Sequence, residues 1–354
     1  MDNARDLYVN PLPKPTWHRC RVNDARIVLK ETGVLPAISS VSASSGVNGK
    51  MVLAEEDFRK MESGMGKDFE QYGFSVTGVP VCRHVTAGAD EEINVDLWYD
   101  GKTDCFNSFR FEIEDNAAVD IYMVCRQKKE EMFKGCIDTR IKVGKNAHVR
   151  LIQVNETKGT CVYNNVAAAV DDNGQFEIIH ILPDGKEVFD GVAADLFGKS
   201  SRMTIDTAYD AKCDTKFDIN YVARHRGRES LCEISANGIL EKGAEKCFRT
   251  TVDFITGCVE AKGVENEDVL LMDDNVINKT VPLILCTEED VEGEHGATIG
   301  KLSDEILFYL NTRGIEESMA YKLISAGRMA SVINLIPKAT LRKEIYEMIG
   351  AEQI

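Results

Sequence analysis

The sequence of 354 residues has no long hydrophobic run and no surplus of basic residues. No uninterrupted apolar stretch approaches the roughly 18 residues of a membrane-spanning helix. Lysine and arginine number 42 against 58 acidic residues, and the net charge is −16. Such a chain lacks the basic surface that nucleic acids need, and anionic membranes repel it. These absences predict a soluble cytoplasmic protein that binds neither nucleic acid nor a membrane.

Several functional motifs are also missing. The 11 cysteines include no C-x-x-C pair, and their odd number does not suit a disulfide framework or a structural zinc site. We therefore expect thiols, most of them small buried side chains. The sequence contains no nucleophile elbow, Walker loop or G-x-G-x-x-G. The prediction is a chain that is not an enzyme and that binds no nucleotide by itself.

An internal repeat dominates the middle of the chain. Short runs of alternating apolar residues are separated there by Gly, Asn and Asp, which is typical of β-strands and turns. Three segments share one pattern: 111–124, 141–154 and 168–181. Their alignment superimposes Asn116, Asn146 and Asn173, which are spaced by 30 and 27 residues. Each is followed by a small residue, Ala or Gly.

The repeat unit predicts a strand, a sharp corner and a second strand. Asparagine tolerates the left-handed conformation, and a small neighbour permits close approach. A unit of this length cannot bury its own apolar face, whereas stacked units can. The sequence therefore predicts a mainly β protein with a parallel β-helix core, and a β-sandwich is the alternative.

The regions on either side of the repeat have different patterns. Two prolines in residues 12–18 favour an extended arm with Trp17 as a candidate anchor. Residues 54–73 predict one helix, or two helices broken near Gly64 and Gly66. The predicted domains are 1–75, an N-terminal arm with short helices; 76–300, the β-helix core; and 301–354, a C-terminal helical subdomain.

Three helices are predicted after residue 300. The first has Ser303 as N-cap and stops at Gly314. The second ends at Gly327, and the third covers residues 340–350. Helices this short are marginal in water, so they must pack against one another or against another surface. The first has more apolar side chains than one buried face needs, which predicts a partner.

Two histidines stand out by their surroundings. His295 lies between Glu294 and Gly296, and its imidazole and the adjacent carboxylate are plausible ligands for iron. Flanking glycines predict an open turn, and an ordinary surface histidine is the alternative. His180 alternates with Ile179 and Ile181 and is predicted on the outward face of a strand.

The segment from Val281 to Ile315 resembles the carboxy-terminal signature of the SufB/SufD family of iron–sulfur cluster assembly scaffolds. The matching elements are Pro282, the acidic residues 288–290, Val291, H-G-A-T at 295–298 and F-Y-L-x-x-R-G-I at 308–315. A looser likeness continues upstream through residues 221–240 and covers roughly the last 130 residues, and an L-P-x-x-T-W arm near the start resembles short family members. The family fold is a right-handed parallel β-helix, which agrees with the repeat.

The resemblance implies a scaffold that pairs two SufB/SufD-type protomers and binds the ABC-type ATPase SufC through its terminal helices. A transient iron–sulfur cluster is the implied cofactor, and a sulfur-donating cysteine desulfurase system is a further implied partner. The implied ATPase-binding residues lie in and after the first terminal helix: Ile306, Leu307, Phe308, Tyr309, Leu310, Arg313, Gly314 and Ile315.

The resemblance also implies a cluster site near the protomer interface, with His295 and Glu294 as ligands. B-type scaffolds carry a cysteine where this chain has Val276, so Cys286 and Cys258 are candidate substitutes. Two functions stay open. The chain is either a cluster-binding scaffold or a D-type adaptor that recruits the ATPase and a catalytic partner, and its pairing is either homodimeric or heterodimeric.

Overall fold

The computed structural model describes residues 4–16, 18–44, 55–99, 103–127, 132–156 and 159–351. Trp17, the predicted anchor, lies outside these ranges. The first elements are β1 Ala4–Val9, β2 Ala25–Lys30, β3 Ile38–Ala43, α1 Glu55–Arg59 and α2 Lys67–Val76. Strands β1 and β2 pair antiparallel. The two helices flank Gly64 and Gly66, which confirms the predicted break.

The following strands alternate between two sheets. In chain order they are β4 Val81–Val85, β5 Asp90–Tyr99, β6 Cys105–Ile113, β7 Ala118–Gln127, β8 Lys134–Val143, β9 His148–Glu156, β10 Cys161–Val170, β11 Gln175–Leu182, β12 Glu187–Leu196, β13 Arg202–Ala211, β14 Lys216–His225, β15 Leu231–Leu240, β16 Glu245–Phe254, β17 Ala261–Leu271, β18 Ile277–Cys286 and β19 Val291–Gly300. The even-numbered strands form sheet A, of eight strands, and the odd-numbered strands with β3 form sheet B, of nine.

The two sheets are the walls of a parallel β-solenoid of about seven turns. Every neighbouring pair within them is parallel except β3 with β5. Each coil contributes one strand to sheet A and the next strand to sheet B, so consecutive strands lie in different sheets. This topology confirms the predicted β-helix and excludes the sandwich.

The asparagine repeat forms one corner of the solenoid. Asn116, Asn146 and Asn173 have φ values of 60°, 55° and 52°. Their side chains form a ladder: Asn146 Nδ2 donates to Asn116 Oδ1, and Asn173 Nδ2 donates to Asn146 Oδ1, both at 3.2 Å. The predicted left-handed corners are therefore confirmed, and the ladder shows that they stack in register.

Apolar side chains from both sheets fill most of the solenoid interior, and parts of both outer faces are also covered. The outer face of sheet A packs against the N-terminal segment, where Phe69 and Tyr72 contact Phe106. Side chains of sheet A also hold that segment by its backbone. Arg140 Nη1 donates to the carbonyls of Phe58 and Met61 at 2.8 and 2.7 Å.

Part of the outer face of sheet B is covered by C-terminal helices. The helices are α3 Asp304–Thr312, α4 Glu317–Ile333 and α5 Ala339–Met348. Ile333 and Ile345 pack on an apolar stripe that includes Ile152, Ile179 and Ile181. No helix in the described ranges is long and apolar enough to cross a membrane.

The predicted starts and ends of these helices are partly correct. Ser303 caps α3 by accepting a hydrogen bond from the Ile306 amide, and Gly314 has φ 81°, both as predicted. The predicted end of the second helix at Gly327 is wrong, because α4 continues to Ile333. Buried residues of its last turns pack on sheet B, and this packing outweighs the cost of about 1 kcal/mol of a glycine in a helix.

Candidate functional site

The last coil forms the open end of the solenoid. Strands β18 and β19 are the terminal strands of sheets A and B, and no strand of the described chain pairs with their outer edges. His295 lies near the middle of β19, the strand that ends sheet B. It lies within β19, whose ladder with β17 pairs it with Glu265. The predicted open turn at His295 is therefore wrong, although the side chain is exposed.

Glu294 and His295 point to opposite faces of β19. Successive side chains of a strand alternate between the two faces of the sheet. A Cβ on Gly293 would contact Phe254 and Ile284 of sheet A, so positions 293 and 295 face the interior and position 294 faces outward. The two predicted ligands therefore do not converge on one ion.

The two candidate cysteines lie at the corner of the last coils and not beside His295. Cys286 is exposed at the end of β18, and its Sγ donates to the Glu288 carbonyl at 2.8 Å. Cys258 follows β16 and is fully buried, and burial raises the pKa of its thiol to about 11. His295 is four residues along β19 from the corner at Val291, roughly 13 Å at 3.3 Å per residue.

The predicted ligands therefore do not form one site within this chain. Across the described ranges, no group of three or more His, Cys, Asp or Glu side chains is placed to hold a metal ion. Val276 packs against the solenoid core, as its aliphatic side chain allows. The four predicted ligands, His295, Glu294, Cys286 and Cys258, cannot by themselves hold a cluster at this end. A cluster there needs further ligands besides them.

Two buried carboxylates lie in the interior beside His295. Glu267 accepts hydrogen bonds from Tyr209, Lys246 and Thr280. Glu265 accepts one from Thr250 Oγ1 at 2.7 Å, and burial raises its pKa to about 7. The sequence interpretation missed both residues. The sequence pattern that could have identified them is the alternation along β17. Glu265 and Glu267 occupy the same alternate positions as Val269 and Leu271, which face the interior.

A second buried polar network lies deeper in the solenoid. His180 is fully buried, and its Nδ1 lies 2.8 Å from Asp190 Oδ2. Tyr221 donates to the same carboxylate oxygen at 2.6 Å. The predicted outward position of His180 is wrong, because its neighbours Ile179 and Ile181 face outward under the C-terminal helices. In this strand the apolar residues Ile179 and Ile181 lie on the outer face under the helices, and the polar His180 lies in the interior.

The helix α3 has no buried residue. Phe308, Tyr309 and Ile306 are 73%, 56% and 46% exposed. Leu307, Leu310 and Ile315 are half-buried. The guanidinium of Arg313 lies 4.9 Å from the centre of the Tyr309 ring, next to the turn at Gly314. We call these eight predicted residues the α3 surface, and most of their side chains are apolar.

Comparison with known proteins identifies the family. The model for "SUF system FeS cluster assembly, SufBD core domain" matches residues 99–328, more than half of the chain. The chain belongs to the SufBD family. The matched region contains the solenoid from β6 to β19, the α3 surface and most of α4. The description of the family model refers to iron–sulfur cluster assembly by the SUF system.

Individual SufBD relatives are distant in sequence. An iron–sulfur cluster assembly protein SufD from Bacillus subtilis is 24% identical over 253 residues, 70% of this chain and 57% of the relative. One from Escherichia coli is 23% identical over 353 residues, 93% of this chain and 79% of the relative. A SufBD family protein from Staphylococcus epidermidis is 27% identical over 190 residues, 53% of this chain and 40% of the relative. This chain thus spans little more than half of the Bacillus relative.

Proposed function

We propose that this chain is a scaffold subunit of a SUF-type complex, which binds a SufC-type ABC ATPase through the α3 surface. The observation that carries the proposal is the lack of any buried side chain in α3. Tyrosine and arginine are enriched among the residues that contribute most to protein interfaces, and α3 and its turn present Tyr309 and Arg313. Within this chain α4 contacts α3, and Phe308 and Tyr309 remain uncovered.

The second part of the proposal is a pair of SufB/SufD-type protomers, joined at the open end of the solenoid. The unpaired edges of β18 and β19 present backbone donors and acceptors, and Ile277 and Ile299 lie exposed on them. Such edges readily pair with another chain. A second copy of this chain and a different family member both suit this role. Sulfur reaches the pair from a cysteine desulfurase system.

The third part concerns the cluster. A nascent iron–sulfur cluster is assembled or transferred at the paired ends, with His295 as a ligand. The exposed imidazole next to an unpaired edge supports this role. The alternative is a SufD-like adaptor that holds no cluster. Val276 at the position of the B-type cysteine and the burial of Cys258 favour that alternative.

Affinity for the cognate ATPase tests the first part. Phe308→Glu places a charge on a surface that binding removes from water. We expect a loss of at least about 2 kcal/mol, which corresponds to roughly 30-fold weaker binding. Val79→Glu is the control, because Val79 is 95% exposed near β4, at the opposite end of sheet A. Unchanged affinity of Phe308→Glu would place the ATPase elsewhere.

Anaerobic reconstitution with iron and sulfide separates the scaffold from the adaptor. A cluster-binding scaffold gives visible absorbance that His295→Ala diminishes without a change in melting temperature. Equal absorbance in wild type and variant would remove His295 from the ligands and favour the adaptor.

A further inference from the structure

One carboxylate oxygen inside the open end of the solenoid has no hydrogen-bond partner among the residues that the structure describes. Glu265 is 2% exposed, and its Oε2 accepts from Thr250 Oγ1 across the interior. Its Oε1 is buried and has no partner in hydrogen-bond geometry within the described ranges, although the backbone amide of Val252 is close enough to act on the carboxyl and lower its pKa. Glu267, two residues away, has the hydrogen bonds expected of a buried carboxylate. It accepts them from Tyr209, Lys246 and Thr280 at 2.7, 2.5 and 2.6 Å. Native proteins seldom leave a buried polar atom unsatisfied, and a bound ion is one explanation for such an atom. Glu265 Oε1 is therefore a candidate metal ligand.

The nearest residue on the adjacent strand is His295. It is the Cα partner of Glu265 in the parallel ladder of β17 and β19, so both side chains project from the same face of sheet B. On that face the neighbours of His295 along β19 are Gly293 and Ala297, which are small. The imidazole is exposed at the open end, and the carboxylate lies one strand further inside.

We propose that Glu265, and not Glu294, is the carboxylate that binds iron together with His295. An imidazole nitrogen and a carboxylate oxygen suit Fe²⁺, and the two side chains project from paired positions on one face of sheet B. Glu294 projects from the opposite face. The remaining coordination positions are open to sulfide, water or side chains from across the unpaired edge of β19. This inference rests on the proposed role of His295.

The test is anaerobic Fe²⁺ binding to the full chain, followed by metal analysis after equilibrium dialysis. Glu265→Gln and His295→Ala are each expected to weaken binding at least tenfold. Glu292→Gln is the control, because Glu292 faces outward and pairs with Lys262 at 2.8 Å, and it should bind within twofold of wild type. Co²⁺ is a second probe, and its d–d absorption spectrum should change in Glu265→Gln and stay unchanged in Glu292→Gln.

Melting temperatures separate binding from a structural role. Glutamine keeps the size of glutamate and the acceptor for Thr250, so iron-free Glu265→Gln should melt at or above the wild-type temperature. Added Fe²⁺ should raise the melting temperature of wild type and not that of the variant. A lower iron-free melting temperature would show that Glu265 serves the fold alone and would overturn the inference.

The variants also distinguish failure of this inference from failure of the proposed function. If His295→Ala and Glu294→Gln lose Fe²⁺ and Glu265→Gln retains it, Glu294 is the ligand and only the inference about Glu265 is wrong. If neither His295→Ala nor Glu265→Gln loses Fe²⁺, the cluster role of His295 fails as well.

Discussion

His225 is a buried histidine whose charge state links stability to pH. Its Nδ1 lies 2.8 Å from Ser230 Oγ, which itself donates to the Gly227 carbonyl, so Nδ1 carries the proton. Its Nε2 is buried without a partner in the described chain. The ring stacks on Phe254 at 4.9 Å between centroids. A second proton would place an unsatisfied charged donor in the core.

Acidification should therefore destabilise the protein through His225. Burial lowers the pKa of this imidazole from 6.5 to about 4, so the folded state resists protonation. Stability from this residue is complete above pH 6.5 and falls as the pH drops towards 4, by about 3 kcal/mol in total. Urea unfolding across this range measures the loss. His225→Asn cannot titrate and should show a shallower slope, whereas equal slopes would exclude this role of His225.

Buried ion pairs on sheet A show how oppositely charged partners overcome the effect of burial on a charged group. Asp138 is buried against Arg110 and Arg140 at 3.0 and 3.3 Å. Burial alone would raise the pKa of Asp138, but the two guanidinium groups hold it below its ordinary value. The carboxylate stays charged because its partners are buried with it. These outward residues of sheet A anchor the N-terminal segment, which the sequence indicated only as an arm with short helices.

The helix α4 shows how packing extends an element beyond its sequence signal. Gly327 lies inside α4, and a Cβ there would meet no atom within 4 Å. Gly327→Ala should therefore stabilise the protein by about 1 kcal/mol, because alanine restricts the unfolded chain without a clash. Gly314→Ala is the matched control. With φ 81° after α3, it should destabilise instead. Thermal melting that ranks the two variants in the reverse order would contradict this account.

The helix pair α4 and α5 should be required for a soluble solenoid. A chain ending at Gly300 loses the cover over the outer face of sheet B, where Ile152, Ile179 and Ile181 are buried. Exposed apolar patches of this kind promote association. The shortened chain should bind the dye ANS, melt at a lower temperature than the full chain and elute as larger species in size-exclusion chromatography.

The control for this truncation is the full chain with Phe308→Glu, since no residue of α3 is buried. It should melt like wild type and bind no ANS. A truncated chain that also melts like wild type would mean that sheet B is stable with its outer face open.

Much of the architecture could be predicted because short-range signals determine it. Asn116, Asn146 and Asn173 mark corners that need the left-handed conformation, and their spacing is the length of a coil. Ser303 determines the start of α3 through its cap, and Gly314 ends that segment. The apolar surplus of α3 likewise anticipated an exposed surface, since it exceeds what one helix face can bury.

The positions of the histidines were decided by tertiary structure. Alternation alone does not say which face of a strand lies inside. At β11 sheet B is buried on both faces, so Ile179 lies under the C-terminal helices and His180 lies in the interior, the reverse of the prediction. Glycines near His295 suggested a turn, but the ladder with β17 makes the segment a strand. Local sequence thus determined the repeat, the corners and the helix starts of this protein. The placement of His295 beside Glu265, and of Glu294 away from both, depends on the register between coils, which backbone hydrogen bonds and core packing set together.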